Sequence, residues 1–137
     1  MTPTTNSSDA FPYATHLNVL FPALEKIALD PIIAGVRDEW WNQTLVKVND
    51  SIVRLGVMQG EYHWHHHDVD DEFFLCLQGR FLIDLEPAAD GVTPGRVIEL
   101  EPREAFVVPR GVVHRTRALE PTVILMVETA NVVPTGD

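Results

Sequence analysis

The stretch from residue 60 to residue 79 reads GEYHWHHHDVDDEFFLCLQG and contains four of the six histidines of the chain. If it continues the β-type run before it, His63, His65 and His67 share one face, because alternate residues of a strand point the same way. Two imidazoles at positions i and i+2 can then converge on one ion. An acidic turn follows, after which Glu72 returns a carboxylate beside the histidines. The stretch therefore predicts a three-point site for a divalent cation.

The histidine run has more than one interpretation. An isolated histidine on a strand is more often a surface or hydrogen-bonded core residue than a metal ligand. Here the paired spacing, the carboxylate after a turn and the distant His114 favour a metal site. His63 stays open as an alternate ligand, a pocket acid or base, or a simple strand residue, and His66 is expected to point away. The turn contains three aspartates, Asp68, Asp70 and Asp71. They are interpreted either as acceptors for imidazole N–H groups or as a solvated turn.

Outward from this stretch, the chain consists of short β-type runs separated by Gly, Pro, Asn and Asp. In the runs 81–86 and 96–101, apolar residues alternate with charged ones, as in a half-buried antiparallel sheet. Such spacing is typical of an all-β sandwich or barrel. The predicted strands are 45–48, 52–59, 73–77, 81–86, 96–100, 105–108, 114–118 and 123–129.

The N-terminal region has a different pattern. Apolar residues between Leu20 and Ala28 recur at intervals of three and four, which predicts a short helix over 18–29. Residues 1–12 are polar and rich in Ser, Thr and Pro, and are interpreted as a flexible arm. Residues 13–137 are predicted to form a single domain, since the chain has 137 residues and 15.4 kDa.

Composition excludes several classes of protein. Ten Lys and Arg against twenty Asp and Glu give a net charge of −10, so no nucleic-acid partner is expected, because phosphate binding needs a cationic surface. No apolar run approaches the ~20 residues of a membrane helix, and no membrane partner is expected. One cysteine, Cys76, excludes an internal disulfide, and no signal-like start is seen. A reducing cytoplasmic location is therefore expected.

The histidine stretch resembles the first motif of the cupin superfamily. That motif is Gly, five residues, His-x-His, three or four residues, Glu, six residues, Gly. Here four residues separate Gly60 from His65, and Glu72 and Gly79 follow at the expected spacings. The gap between the first Gly and the first His is one residue shorter than in the motif.

A second segment resembles the second cupin motif, which is Gly, five residues, Pro-x-Gly, two residues, His, three residues, Asn. Residues 109–114, PRGVVH, match its centre, while Arg103 and Ala118 replace the flanking Gly and Asn. Together with the ending PTGD at 134–137, these segments resemble the compact single-domain bacterial cupins. The resemblance extends from about Ile52 to the C-terminus.

This resemblance implies a small antiparallel jelly-roll barrel, here with a short N-terminal helix, and a ligand site at one end. It implies a metal held by His65, His67, Glu72 and His114, and it suggests a homodimer. Neutral imidazoles and a carboxylate suit Fe, Mn, Ni, Cu or Zn, so the sequence does not identify the metal. Four protein ligands leave one or two positions open on a five- or six-coordinate ion, as a catalytic metal requires.

The expected function is a metal-dependent enzyme acting on a small organic molecule, with an Fe(II)-type oxygenase as the first choice. The cupin fold carries many reactions, so two alternatives stay open. One is an isomerase or lyase that uses the same ion as a Lewis acid on a sugar-like or carboxylate substrate. The other is a non-catalytic binder or sensor of a small ligand. No catalytic residue besides the metal ligands is assigned.

Several side chains flank the expected pocket: Arg54, Met58, Arg115 and Arg117. An inward arginine would suit an anionic substrate, although surface arginine is the commoner case. Cys76 lies among Phe and Leu and is interpreted as an inert buried thiol. Trp40 and Trp41 either cover a pocket mouth or subunit contact, or pack one in the core and one at its edge.

Overall fold

The computed structural model describes residues 13–137, and the predicted arm, 1–12, lies outside the described residues. This part of the chain is mostly β-structure with one short helix, which confirms the predicted all-β jelly-roll class. In chain order the elements are β1 (Ala14–His16), α1 (Leu29–Gly35), β2 (Trp40–Val48), β3 (Ser51–Glu61), β4 (Glu72–Gln78), β5 (Phe81–Leu85), β6 (Arg96–Leu100), β7 (Ala105–Val108) and β8 (His114–Thr129).

The sheet is organised around β8. Its hydrogen-bonded order is β1-β2-β3-β8-β4-β7, and β5 joins it by pairing with both β6 and β8. All pairs are antiparallel except β1 with β2. The first part of β8 pairs with β5 and the second part with β4, while β3 follows its other edge. Because one strand pairs with three others, the sheet curves around β8 into a barrel.

Two predicted strands, 114–118 and 123–129, prove to be the two halves of β8. Pro121 led to their separation, because a proline cannot donate a ladder hydrogen bond. In the structure Pro121 lies in the interval where β8 leaves β5 after Ala118 and meets β4 at Val123. The pairing with β3 also shifts register there. A proline is tolerated within a strand at such an irregularity.

The helix predicted over 18–29 is wrong in position, since the helix occupies Leu29–Gly35. Leu24 has a φ of 69°, which interrupts any helix, and the N–H groups of Leu20 and Phe21 donate to carbonyl oxygens of β2 at 3.2 and 2.8 Å. The apolar spacing instead serves an extended segment whose Phe21 and Ile27 pack on the outer face of the sheet. Within residues 13–137, no helix has the length and apolar character needed to cross a membrane.

The apolar side chains form two clusters, one inside the barrel and one between its outer face and the N-terminal segment. Trp40 is buried in the inner cluster, whereas Trp41 packs against the outer one. The pair is therefore divided between the two faces of β2, as alternation requires. Cys76 is fully buried in the inner cluster, and burial raises the pKa of its thiol, so it is an inert core residue as predicted.

Candidate metal centre

The histidines lie in the loop of residues 62–71 between β3 and β4, which we term the histidine loop. β3 ends at Glu61, so this segment does not continue the strand, which was the condition for the shared face of His63, His65 and His67. One residue of the loop, His65, nevertheless forms an antiparallel bridge with His114 at the start of β8. Each of these two residues donates its N–H to the carbonyl of the other, at 2.9 Å in both directions. The backbone therefore holds two of the predicted ligands side by side.

The structure brings together the four residues named above as metal ligands. One potential ligand atom from each of His65, His67, Glu72 and His114 lies within 4.8 Å of every other. The nearer oxygen of Glu72, Oε1, is 3.5 Å from Nε2 of His67 and 3.4 Å from Nε2 of His114. His67, Glu72 and His114 are buried and His65 is partly buried. We refer to these four residues as the His/Glu cluster.

Backbone carbonyls fix the orientation of two imidazole rings. Nδ1 of His65 donates to the carbonyl of His63 at 3.0 Å, and Nδ1 of His114 donates to the carbonyl of Val112 at 2.9 Å. A carbonyl oxygen only accepts, so the proton of each neutral ring resides on Nδ1. The lone pair of Nε2 is then available on each ring, as metal-binding histidines require.

Several buried polar atoms of the cluster lack a hydrogen-bond partner among the described residues. They are both ring nitrogens of His67, Nε2 of His114 and Oε1 of Glu72. Leaving a buried acceptor unsatisfied costs about 1–3 kcal/mol, and three such groups converge here. One cation would satisfy one nitrogen of His67, Nε2 of His114 and Oε1 of Glu72 together, and these are atoms that bind a divalent transition metal. The His/Glu cluster therefore fits a divalent metal site.

The pKa shifts favour the ionised carboxylate of Glu72 and the neutral imidazole of His65, which are the forms that bind a cation. Burial raises the pKa of Glu72, but the adjacent imidazoles of His114 and His67 outweigh burial and hold it well below its ordinary value. Burial, with a smaller contribution from the charge of His114, lowers the pKa of His65 to about 3. Burial also lowers the pKa of His67, but the adjacent carboxylate of Glu72 outweighs it, so the net shift is upward. Protonation therefore competes with metal binding more strongly at His67 than at His65.

Two other histidines of the loop lie outside the cluster. The ring of His63 is 2.7 Å from the carbonyl of Thr135 through Nε2 and stacks on Tyr62 at a centroid distance of 4.6 Å. It therefore stands beside the site without contributing to the group of four. His66 faces outward, as predicted, and its Nε2 is 3.0 Å from a carboxylate oxygen of Asp68.

The turn aspartates take different roles. Asp70 is buried and accepts a hydrogen bond from the hydroxyl of Thr129. Asp71 is exposed and accepts from the backbone N–H of Arg110 at 2.9 Å. No hydrogen bond of residues 13–137 joins an aspartate of this turn to a ring of the His/Glu cluster. The aspartates therefore fix the loop, and the backbone carbonyls orient the rings.

The C-terminal tail, residues 133–137, lies across the histidine loop. Gly136 packs against His65, so closely that a Cβ added to Gly136 would lie 2.6 Å from the Cβ of His65. Four hydrogen bonds join the tail to the loop. Tyr62 Oη donates to Pro134 O (3.1 Å), His63 Nε2 pairs with Thr135 O (2.7 Å), Asp137 N donates to His66 O (2.9 Å) and Asp68 N donates to Asp137 Oδ2 (2.5 Å). The tail thus supports the loop that carries two residues of the cluster.

Comparison with known families agrees with this geometry. Residues 51–128 match the family described as Cupin domain. This range contains the histidine loop and the cluster residues on β4 and β8. The chain belongs to the cupin family.

Relatives of this cupin support the same assignment. It is 41% identical over 93 residues to the uncharacterized protein YdbB of Bacillus subtilis (strain 168), covering 68% of this chain and 76% of that protein. A cupin-2 domain-containing protein from Shewanella frigidimarina NCIMB 400 has a TM-score of 0.65 and 27% identity, covering 75% of this chain and 93% of that one. Protein NMB1881 from Neisseria meningitidis has a TM-score of 0.63 and 25% identity, covering 77% and 99%.

In this cupin, a cavity of about 40 Å³ adjoins the cluster and is lined by His65 and Glu72. Its walls contain apolar side chains and a polar group of which only Arg54 was named from the sequence. The apolar side chains include Trp40, Met58, Phe74, Phe81, Ile124 and Met126, and the polar group comprises Asn42, Arg54, Thr116 and Glu128. Met58 thus lies in the pocket wall. Glu128 was missed, although it lies on the buried face of β8 with His114 and Thr116.

Of the arginines considered above, only Arg54 lies in the cavity wall. It is 1% exposed, its Nη2 donates to Oδ1 of Asn42, and its Nη1 is 3.7 Å from Oε1 of Glu128. Arg115 and Arg117 instead donate to the carboxylate of Asp84 at 3.0 and 2.7 Å. Burial raises the pKa of Glu128 well above its ordinary value, and the negative charge of Glu72 adds to this effect.

Proposed function

We propose that this cupin is a metal-dependent enzyme that acts on a small organic molecule. Its metal ligands are the four residues of the His/Glu cluster, namely His65, His67, Glu72 and His114. The proposal is carried by the unsatisfied nitrogen and oxygen atoms that converge in the cluster. The donor set suits Fe, Mn, Ni, Cu or Zn and does not choose among them.

Within this class, we infer an Fe(II)-type oxygenase as the leading activity. Three imidazoles and one carboxylate leave one or two positions open on a five- or six-coordinate ion. Iron(II), when bound, supplies activation of O₂ and of substrate oxygens at such positions. A structural zinc site is usually closed by four ligands and rich in cysteine. The single cysteine, Cys76, is not part of the cluster.

The side chains around the cluster support the chemistry in two ways. The carbonyls of His63 and Val112 hold two rings in the orientation that a ligand needs. Trp40, Phe74 and Phe81 line the cavity and limit the access of bulk water. A drier site strengthens electrostatic interactions with the substrate and suppresses side reactions.

Metal content tests the ligand assignment. We expect wild-type protein to bind one divalent ion per chain, and His65→Ala and His114→Ala to lose tight binding while keeping the fold. The control is His66→Ala, which removes a neighbouring imidazole that lies outside the cluster. Elemental analysis gives the stoichiometry and circular dichroism reports the fold. Equal metal content in all four proteins would contradict the assignment.

Oxygen uptake tests the reaction class. Anaerobically purified protein loaded with Fe(II) is mixed with phenols, dicarbonyls or small carboxylates in an oxygen electrode. Substrate-dependent uptake that disappears in His114→Ala supports the oxygenase. Substrate turnover without oxygen uptake would instead identify a metal-dependent isomerase or lyase. Ligand binding that survives chelation of the metal would identify a non-catalytic binder or sensor.

A further inference from the structure

The cavity beside the His/Glu cluster contains a charged group that the proposed metal site does not use. The guanidinium of Arg54 is almost fully buried, and its Nε has no hydrogen-bond partner among residues 13–137. Oε2 of Glu128, which lines the same cavity, also lacks one. Buried polar groups are normally satisfied, so unsatisfied donors and acceptors facing one cavity indicate a missing polar ligand.

Arg54 and the cluster face the same space. Arg54, Glu72 and His65 all line the cavity. Glu128 stands beside Arg54, with its Oε1 3.7 Å from Nη1, and it lines the same cavity as Glu72. The carboxyl group of Glu128 therefore lies against the guanidinium in the cavity that adjoins the cluster. Asn42 accepts from Nη2 of Arg54 and holds the guanidinium in place.

The charges of the cavity wall do not balance once a divalent ion is present. The ion and Arg54 bring three positive charges, and Glu72 and Glu128 bring at most two negative charges. At least one positive charge then remains among the groups that line the cavity, whether or not Glu128 is ionised. Burying an uncompensated charge is costly, so an anionic ligand is favoured over a neutral one.

The cavity also limits the size of the ligand. Its volume is about 40 Å³, and a water molecule needs about 10–15 Å³ by the same measure. The space thus takes the equivalent of roughly three water molecules. A guanidinium pairs with a carboxylate through two parallel N–H···O bonds. An ammonium group, which acts as a point charge, does not form this planar pair. These two facts favour a compact carboxylate.

We propose that Arg54, held by Asn42, forms an anion subsite beside the metal, and that the substrate is a compact carboxylate whose charged end rests on this guanidinium. This inference rests on the proposed function and narrows its substrate class. Glu128 occupies part of the subsite in the absence of ligand and is the group that the carboxylate displaces.

Calorimetric titration of zinc-loaded protein with acetate tests the subsite without requiring turnover. We expect Arg54→Met to weaken acetate binding at least about tenfold, because a hydrogen bond to a charged group contributes about 1.5–3 kcal/mol. Arg117→Met is the matched control, since it removes an arginine that pairs with Asp84 outside the cavity. It should leave acetate affinity unchanged. Metal content and circular dichroism are measured on the same samples.

Two further measurements keep the inference testable if Arg54→Met does not fold. Glu128→Gln keeps Arg54 and removes the competing carboxylate, so acetate should bind more tightly than to the wild type. In wild-type protein, acetamide should bind more weakly than acetate. Equal acetate affinity in wild type and Arg54→Met, or unchanged or weaker binding in Glu128→Gln, would overturn the subsite. If wild-type protein binds no metal but its acetate affinity still depends on Arg54, the proposed function fails and the subsite stands.

Discussion

Replacing Gly136 by alanine is expected to loosen the His/Glu cluster from outside. Gly136 has a φ of 98°, a region that other L-residues enter at a cost of about 1–2 kcal/mol. The added Cβ would lie 2.6 Å from the Cβ of His65 and 3.1 Å from the carbonyl oxygen of His66. Neither of these atoms is the far end of a flexible side chain. The tail and the histidine loop must therefore move apart.

The size of the effect follows from the contacts that this movement breaks. The four hydrogen bonds between tail and loop each contribute on the order of 0.5–1.5 kcal/mol. The freed tail residues regain conformational entropy of about 1–2 kcal/mol each, a total at least as large as the contribution of those hydrogen bonds. We therefore expect the free energy of unfolding to fall by no more than about 1–2 kcal/mol, the cost of a positive φ at this position. In Gly136→Ala, metal binding must also reorder the histidine loop. A cost of about 1.4 kcal/mol for this step would weaken metal binding about tenfold.

The assay combines urea unfolding of the metal-free protein with a competition titration of zinc affinity. The matched control is Gly91→Ala, because Gly91 also has a positive φ, 72°, but a Cβ there would meet no atom within 4 Å. Gly91→Ala is expected to lose only the backbone contribution and to keep the zinc affinity. If Gly136→Ala binds zinc as tightly as Gly91→Ala does, the tail does not support the site.

Two further predictions concern acid stability and assembly. The pKa of His65 is about 3 in the folded protein against 6.5 as the ordinary value, so its contribution to the stability of the metal-free protein is complete above about pH 6.5 and is lost as the pH falls toward 3. Unfolding titrations of His65→Asn should show a flatter decline across this range than wild type, and an identical decline would contradict the buried neutral state. The homodimer stays a prediction from the family resemblance, and light scattering after size-exclusion chromatography should give twice the mass of one chain; a monomer at all concentrations would reject it.

Local alternation predicted most of the fold. The strands Arg96–Leu100 and Ala105–Val108 begin and end where the pattern places them, because each lies between residues that favour turns. The N-terminal helix was misplaced because apolar residues three and four positions apart occur in helices and also in irregular segments that pack on a sheet. Only tertiary contact with β2 distinguishes these two cases.

The His/Glu cluster was predictable, but its surroundings were not. The cluster depends on short spacings around His65 and on one distant histidine, both of which the sequence displays. Glu128 and Arg54 are charged residues on buried strand faces. The orientation of Glu128 follows only from its parity with His114 on β8, and for Arg54 the sequence left an inward and a surface orientation open. Because Pro121 divided β8 into two predicted runs, that parity could not be carried from His114 to Glu128. The tail was also out of reach, since its contacts join residues far apart in the chain.

The length of β8 carries an evolutionary constraint. Thr116 and Glu128 line the same cavity from the two halves of this one strand, which joins them through the exposed residues 119–121. Exposed segments usually tolerate insertions and deletions, but a residue gained or lost here that the register irregularity does not absorb would turn Glu128 to the opposite face of the sheet. We therefore expect residues 119–121 to vary by substitution more than by insertion or deletion in cupins that share this cavity.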